Sequence, residues 1–382
     1  MKLVGFFDIE KYQNEERVFS PATVAVMNYL ADCLHRLGIP VEIISPAETR
    51  KTSGKYPLRS EEIRDGVVLT QGASSGYENK ILRVLTKIRS RLWVVSYLLK
   101  NTKENELVFF CDSPVLYEPL LLFRRLSRKK VSILYFASEI YQQVIPLGKI
   151  KRWMEWKLFR DADMLVVSTK LLDEKINQEG RKSVILHGTY TLTPKYTDKF
   201  DDGLIHIVYA GIINGSKGSA KAVEIADHLP EKYHIHILGF GLQNDVEELK
   251  RSIEESNRKN RCKVTYEGVI YGEEYDRYLQ KCDIGICPQN LDALYNDSSF
   301  PSKTLSYLAN GLRVVSVDLK AVRYSEIGGL IRFTKSDSAA DFADAILQID
   351  MEEAYDSRKA IADLDEKFTR DLGEMIKGYT VR

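Results

Sequence analysis

The stretch Ser299-Phe300-Pro301-Ser302-Lys303-Thr304-Leu305-Ser306-Tyr307-Leu308-Ala309-Asn310-Gly311-Leu312-Arg313-Val314-Val315-Ser316 decides how the chain is read. A proline flanked by serines, a single lysine, an apolar run at helical spacing, a glycine and then β-branched residues describe a helix that leads into a strand. A helix begins with unpaired N–H groups and the positive end of its dipole, and Lys303 adds a full charge beside them. Together these predict a helix N-terminus that faces a phosphate. The competing reading is an ordinary capped helix with a surface lysine.

On both sides of this segment, short apolar strands alternate with helical runs. In the second half the pattern predicts strands over 205–210, 234–239, 264–266, 284–287 and 313–317, helices over 219–228, 244–256, 273–281, 302–310 and 339–348, and a polar helical tail over 353–378. In the first half it predicts strands over 2–7, 41–45, 107–111, 131–136, 164–168 and 183–186, and helices over 21–37, 117–127 and 150–159, with Ser20 as N-cap and Pro21 at the first helical position. Six strands suffice for one Rossmann-like domain. Residues 187–203 interrupt the periodicity with Thr, Pro, Asp and Gly and read as a linker. The expected organisation is a domain over 1–190, a second over 204–355, and a C-terminal helix over 356–382 that crosses back to the first.

Composition narrows the function classes. With 44% hydrophobic and 29% charged residues, the chain reads as soluble and globular, and no window reaches the roughly 18 apolar residues of a membrane span. Asp8 falls where a signal peptide would still be apolar, so the expected location is the cytoplasm. Five scattered cysteines, Cys33, Cys111, Cys262, Cys282 and Cys287, lack the spacing of a disulfide framework or a zinc site and read as small buried residues. The net charge of +1 hides a division: residues 1–195 carry 31 Lys and Arg against 22 Asp and Glu, whereas residues 196–382 carry 24 against 32. Most of the excess lies in 80–160, with 17 basic and 6 acidic residues. An anionic membrane or substrate suits the basic half. Nucleic acid is not expected, because no zinc-finger spacing, RNA-recognition signature or continuous basic helix accompanies the charge.

Within the second half, Val208-Tyr209-Ala210-Gly211-Ile212-Ile213-Asn214-Gly215-Ser216-Lys217-Gly218 ends a strand in a glycine-containing loop with one lysine. Glycine lets backbone approach a phosphate closely, and Lys217 is placed to neutralise part of a diphosphate. Alone, this loop reads equally well as structural. The six histidines show no helical two-ligand spacing, and no metal and no cofactor are expected. His234 and His236 alternate along one strand face and read as structural.

Taken in order, Tyr-Ala-Gly at 209–211, Lys-Gly at 217–218, Ile237-Leu238-Gly239-Phe240-Gly241, Tyr266-Glu267-Gly268-Val269, Cys282-Asp283-Ile284-Gly285-Ile286-Cys287-Pro288 and the 301–316 segment resemble the nucleotide-binding domain of family-four and related GT-B glycosyltransferases. The resemblance covers 205–335 and implies an α/β fold of the GT-B type, two Rossmann-like domains facing each other across a cleft. It places Gly211 and Lys217 by the donor phosphates, Gly268 and Val269 by the base, Ser302 and Lys303 at the diphosphate, Ser306 at the ribose, and Tyr307 among the donor-binding residues. The first half is similar, more faintly, to acceptor domains of enzymes that build bacterial surface polysaccharides, in Phe110-Cys111-Asp112-Ser113-Pro114, Tyr135-Phe136-Ala137-Ser138-Glu139-Ile140-Tyr141 and 158–168. That likeness makes Glu139 the candidate catalytic residue, taking or positioning the proton of an acceptor hydroxyl; the residues alone favour a capping or surface glutamate.

Two departures accompany the resemblance. Retaining members carry two glutamates eight positions apart; here Ser298 and Ser306 stand there, which leaves the stereochemistry undetermined. At the first strand the family's glycine-rich loop is replaced by Glu16-Arg17-Val18-Phe19-Ser20-Pro21, where Arg17 reads either as a residue in donor or acceptor space or as a solvated loop residue. The implied activity is metal-independent transfer of a sugar from a nucleoside-diphosphate-sugar, UDP above others, to a hydroxyl of a lipid-linked saccharide. Membrane contact is expected through 147–159, which mixes Trp, Met and Phe with Lys and Arg, and through the basic cluster 124–130; a partly buried helix with solvated charges is the alternative. The protein is then peripheral at the inner face of the cell membrane. Rival readings are an epimerase or phosphorylase on the same plan and a non-catalytic nucleotide- or carbohydrate-binding protein.

Overall fold

The computed structural model describes residues 1–214, 218–259, 261–291 and 293–379. The chain divides into two compact units, Met1–Thr189 joined by the chain from Glu366 onward, and Tyr190–Asp365.

In the first unit, β1 (Lys2–Val4), β2 (Val41–Ser45), β3 (Arg59–Arg64), β4 (Val67–Gln71), β5 (Leu107–Phe110), β6 (Ser132–Ala137), β7 (Met164–Val167) and β8 (Ser183–Ile185) form one sheet ordered β8-β7-β6-β5-β1-β2-β4-β3. All neighbours are parallel except the β3–β4 hairpin. Apolar runs such as Leu-Val-Phe-Phe in β5 and Met-Leu-Val-Val in β7 are buried throughout, as central parallel strands covered on both faces must be. One face carries α2 (Lys80–Asn101), α3 (Tyr117–Leu126) and α4 (Lys149–Asp161), whose Val94, Leu98, Leu120, Phe123, Leu158 and Phe159 pack with Val108, Phe110, Ile133 and Tyr135 of the strands. The helix α1 (Pro21–Arg36) starts at Pro21 with Ser20 at the N-cap, although the serine side chain makes no capping bond.

The sequence pattern missed β3, β4 and α2. Strand β3, Arg-Ser-Glu-Glu-Ile-Arg, is a partly exposed antiparallel edge and carries no apolar alternation. Helix α2 is apolar on too many sides to show one clean stripe.

In the second unit, β9 (Ile205–Ala210), β10 (Tyr233–Leu238), β11 (Lys263–Gly268), β12 (Ile284–Cys287), β13 (Arg313–Ser316) and β14 (Ile331–Phe333) form an all-parallel sheet ordered β11-β10-β9-β12-β13-β14. The chain winds outward from β9 to one side and then restarts at β12 on the other. This reversal opens a crevice beyond the carboxyl ends of β9 and β12, the place where open α/β sheets bind ligands. After α5 (Lys170–Ile176) of the first unit come α6 (Ser219–Ile225), α7 (Gln243–Lys259) and α8 (Gly272–Lys281), and the helix that follows β12 is α9 (Ser302–Ala309).

The last helix, Ser357–Ile376, starts four residues later than the pattern predicts. Tyr355 donates from its hydroxyl to the Leu312 carbonyl at 3.2 Å and stacks beneath the Arg313 guanidinium, so the chain before Ser357 is tied to the sheet instead of coiling. The buried Phe368 stacks on Tyr29 at 5.9 Å, and Gly373 admits the Leu37 side chain where a Cβ would approach it to 2.8 Å. All five cysteines are free and buried.

Candidate functional site

At the carboxyl end of the second sheet, three strand ends and one helix start converge. Gly239 follows β10 at φ +144°, and a Cβ there would sit 1.7 Å from the Gly211 carbonyl oxygen, so only glycine permits this approach of two loop backbones. The Gly239 N–H donates to the Gly268 carbonyl at 2.8 Å, which ties the end of β11 to the same place. Val269 lies just beyond and is exposed. Across from Gly211 stands Lys303 in the first turn of α9. A Cβ on Gly211 would lie 2.8 Å from Lys303 Nζ, and the same ammonium sits 4.1 Å from the centre of the Tyr209 ring. Lys303 is half-buried, so its charge is directed into this corner and not out along the surface.

The helix start is built to leave its dipole uncovered. Pro301 occupies the N-cap and offers no side-chain acceptor, while Ser302 is exposed at the first position. Deeper in the helix, the fully buried Tyr307 accepts a hydrogen bond from the Ala210 N–H at 2.8 Å, which locks α9 against the end of β9. Gly285 makes room for the ring: a Cβ there would come within 2.4 Å of it. Tyr307 is therefore a buried bracing residue, and a ligand cannot reach it directly. Ser306 is half-buried with its hydroxyl 3.5 Å from that of Tyr275. Ser298 is fully buried and bonded to the Tyr295 carbonyl at 3.3 Å. The structure thus brings Gly211, Gly268, Lys303 and the α9 N-terminus to one sheet edge. Lys217 lies outside the described residues.

The first unit holds a separate cavity of about 410 Å³ at the ends of β1 and β5. Phe6, Phe19, Val115 and Leu116 give it apolar walls, and Glu48, Arg50, Arg83, Lys87 and Asp112 bring charge. Burial raises the Glu48 carboxyl above its usual range against the pull of Lys87, Arg91 and Arg83, and its Oε1 has no hydrogen-bond partner. Asp112 accepts from the Tyr135 hydroxyl at 2.6 Å on Oδ1 and from the Ser138 N–H at 2.9 Å and hydroxyl at 3.0 Å on Oδ2. Burial outweighs those bonds and, with the nearby Glu139 charge, pushes its carboxyl up to about 7. Glu139 sits half-buried in the turn after β6 and does not line the cavity. The turn is held from α4: the fully buried Glu155 accepts from the Tyr117 hydroxyl at 2.9 Å and the Tyr141 N–H at 2.7 Å. Sequence reading quoted Asp112 only as part of a motif. Its burial and its place in the cavity depend on Tyr135 and Ser138, more than twenty residues further along the chain.

Arg17 is not solvated. It is 3% exposed, bonded through Nε to Glu15 at 2.6 Å and through Nη1 to the Gly72 carbonyl at 3.0 Å, and it braces the loop that replaces the glycine-rich turn. The basic cluster at 124–130 is partly spent internally, with Arg124 bound to both Asp163 oxygens at 2.5 and 2.9 Å.

Among the described residues, His206, His234 and His236 bring ring nitrogens within 4.8 Å of one another, a spacing that admits a metal ion. Protein partners already occupy them. His206 and His236 share a hydrogen bond of 2.8 Å, His206 reaches Asp202 at 2.9 Å, His236 reaches Glu267 at 3.0 Å, and His234 reaches Thr265 at 3.0 Å. Phe200 stacks on the His206 and His236 rings. The group reads as a hydrogen-bonded buttress between β9, β10 and β11.

Residues 205–350 match the family described as Glycosyl transferases group 1. A search of curated proteins with the sequence finds no match. Among solved structures, the chain is similar to sucrose-phosphate synthase from Thermosynechococcus elongatus (14% identity, TM-score 0.68, 98% of each chain covered). It is also similar to a UDP-forming α,α-trehalose-phosphate synthase from Burkholderia xenovorans (10%, 0.66, 100% of this chain and 99% of that one) and to Anabaena HepE in complex with UDP (13%, 0.64, 99% and 98%). The fold is that of the GT-B glycosyltransferases, two α/β units on parallel sheets.

Proposed function

We propose that the protein is a glycosyltransferase that moves a sugar from a nucleoside-diphosphate-sugar, UDP above others, to a hydroxyl of a lipid-linked saccharide, at a membrane surface and without a metal ion. The observation that carries the donor half is the half-buried Lys303 ammonium beside Gly211 at an uncapped helix start. When the bond from the sugar's anomeric carbon to the diphosphate oxygen breaks, negative charge grows on the leaving group. A fixed ammonium and a helix N-terminus stabilise that charge more than they stabilise the bound donor. Gly268, Val269 and Ser306 contact the nucleoside in this reading, with Ser302 and Lys217 assisting at the phosphates.

The acceptor half rests on the cavity of the first unit. Its apolar walls suit a sugar ring, and Arg50, Arg83 and Lys87 suit an anionic group on the acceptor, as a lipid-linked phosphate carries. Asp112, whose proton affinity burial raises, accepts the hydroxyl proton as the sugar is transferred, and the Glu139 charge adds to that rise. A non-catalytic nucleotide-binding protein is favoured only by the serines at 298 and 306. Turnover decides between them: hydrolysis or transfer from UDP-sugars that is present in the natural chain and absent in Lys303→Ala supports the enzyme, and binding without turnover across donors and acceptors overturns it.

A further inference from the structure

Helix α2 presents its first three turns as an apolar ridge in solvent. Ile81 is 74% exposed, Leu85 55%, Ile88 48% and Leu92 53%, and their spacing of four, three and four residues places them on one face. Leu82 and Val84 flank this ridge and are exposed as well. The ridge is fixed: the Asn79 side chain caps the first turn by accepting from the Leu82 N–H at 2.9 Å, and Val94, Val95 and Leu98 anchor the other end in the core. The helix carries six cations, Lys80, Arg83, Lys87, Arg89, Arg91 and Lys100, and no acidic residue occurs between 80 and 101; Arg89 flanks the ridge and Lys80 stands at its start, whereas Arg83 and Lys87 lie on the side that lines the cavity. Beyond α3, helix α4 adds exposed Ile150, Trp153 and Trp156; Glu118 of α3 binds Arg91 at 3.6 Å and Lys151 at 2.6 Å, so the three helices form one layer.

We propose that this face of α2 docks on an anionic lipid bilayer, with the apolar ridge entering the headgroup boundary and the flanking cations meeting lipid phosphates. The charge pattern chooses the occupant. A second copy would set one cationic helix without acidic residues against another, whereas an anionic surface neutralises the charge, and an apolar ridge with Lys and Arg beside it suits the interface of a bilayer. The inference rests on the lipid-linked acceptor read above and gives it a geometry: Arg83 and Lys87, on the opposite edge of the same turns, line the cavity. A bilayer-bound α2 therefore holds the cavity's cations about 10 Å, one helix diameter, from the apolar ridge.

The test is co-sedimentation of the full chain with vesicles of phosphatidylglycerol and phosphatidylcholine in equal parts, compared with phosphatidylcholine alone. The natural chain is expected to bind the anionic vesicles at low salt, to bind at least tenfold less in 0.5 M salt, and to ignore the neutral ones. The triple variant Ile81→Ser, Leu85→Ser, Ile88→Ser removes only exposed side chains; it should keep its unfolding midpoint and UDP affinity while losing vesicle binding at least tenfold. Absence of binding to anionic vesicles at low salt overturns the proposal, as does binding that the triple variant leaves unchanged. A dimer of the natural chain that the triple variant converts to monomer assigns the ridge to a second copy and overturns it too. UDP affinity separates the two levels of inference: a natural chain that binds UDP and fails to bind anionic vesicles removes this docking alone, and a natural chain that fails to bind UDP removes the transferase reading.

Discussion

Lys303 Nζ rests 4.1 Å above the Tyr209 ring and would be 2.8 Å from a Cβ on Gly211, so one ammonium is clamped between an aromatic face and a bare backbone at the end of β9. The ring holds the cation without neutralising it. Lys303→Ala should weaken UDP binding by about 10- to 100-fold, the worth of a charge-assisted hydrogen bond. Gly211→Ala should weaken it in the same direction by displacing the ammonium. Titration calorimetry on both variants checks this, and unchanged affinity in Lys303→Ala refutes the donor assignment.

Tyr307 acts one layer below. Tyr307→Phe leaves the buried Ala210 N–H without its acceptor and should cost about 1–3 kcal/mol, read from urea unfolding. Donor affinity should fall less than in Lys303→Ala, since the phenol itself does not reach the ligand.

The histidine buttress makes stability depend on acid. Burial, followed by the charges of His236 and Lys263, lowers His234 from 6.5 to about 4. Between those values the unfolded chain takes up a proton that the folded chain refuses, so stability is lost as pH falls through 6.5 towards 4, by about 3 kcal/mol. Glu267, held down to about 2 chiefly by its hydrogen bond from His236, adds a second loss as pH falls below its unfolded value of 4.5. Urea midpoints measured from pH 7 to pH 4 should decline, and His234→Phe should flatten the decline above pH 4.5.

Asp112 and Glu139 separate on pH profiles. With Asp112 as proton acceptor, turnover should rise towards pH 7 and level off above it, and Asp112→Asn should lose about 100- to 10,000-fold. Glu139→Gln should retain turnover at high pH while shifting the acid limb to lower pH, because one negative charge near Asp112 is gone. If Glu139→Gln instead abolishes turnover at every pH, Glu139 is itself the base.

Much of the fold was legible because its signals are local. Strands 41–45, 205–210 and 284–287 were read to the residue, since strands buried on both faces carry continuous β-branched and apolar runs. The Pro-Ser-Lys start of α9 and the glycine after β9 are equally local, being backbone requirements written in neighbouring residues. The hairpin 59–71 and helix 80–101 escaped, because a charged edge strand and an apolar helix with one end in solvent break the periodicities on which such reading depends.

The chain's order of residues therefore determined two α/β units and the corner of Gly211 and Lys303, whose parts are set by what each strand end and helix start requires. Tertiary structure decided the rest. Asp112 acquires a raised proton affinity because the folded chain buries it, with the Glu139 charge adding to the rise and the Tyr135 and Ser138 bonds opposing it, and Glu48 meets Arg83 and Lys87 only because α2 folds back over the sheet. In α2 the apolar face of Val94 and Leu98 is core, and the apolar face of Ile81 and Leu85, on the other side of the helix, is surface. Periodicity states that a helix has apolar faces; only the packing of its neighbours determines which of them is covered.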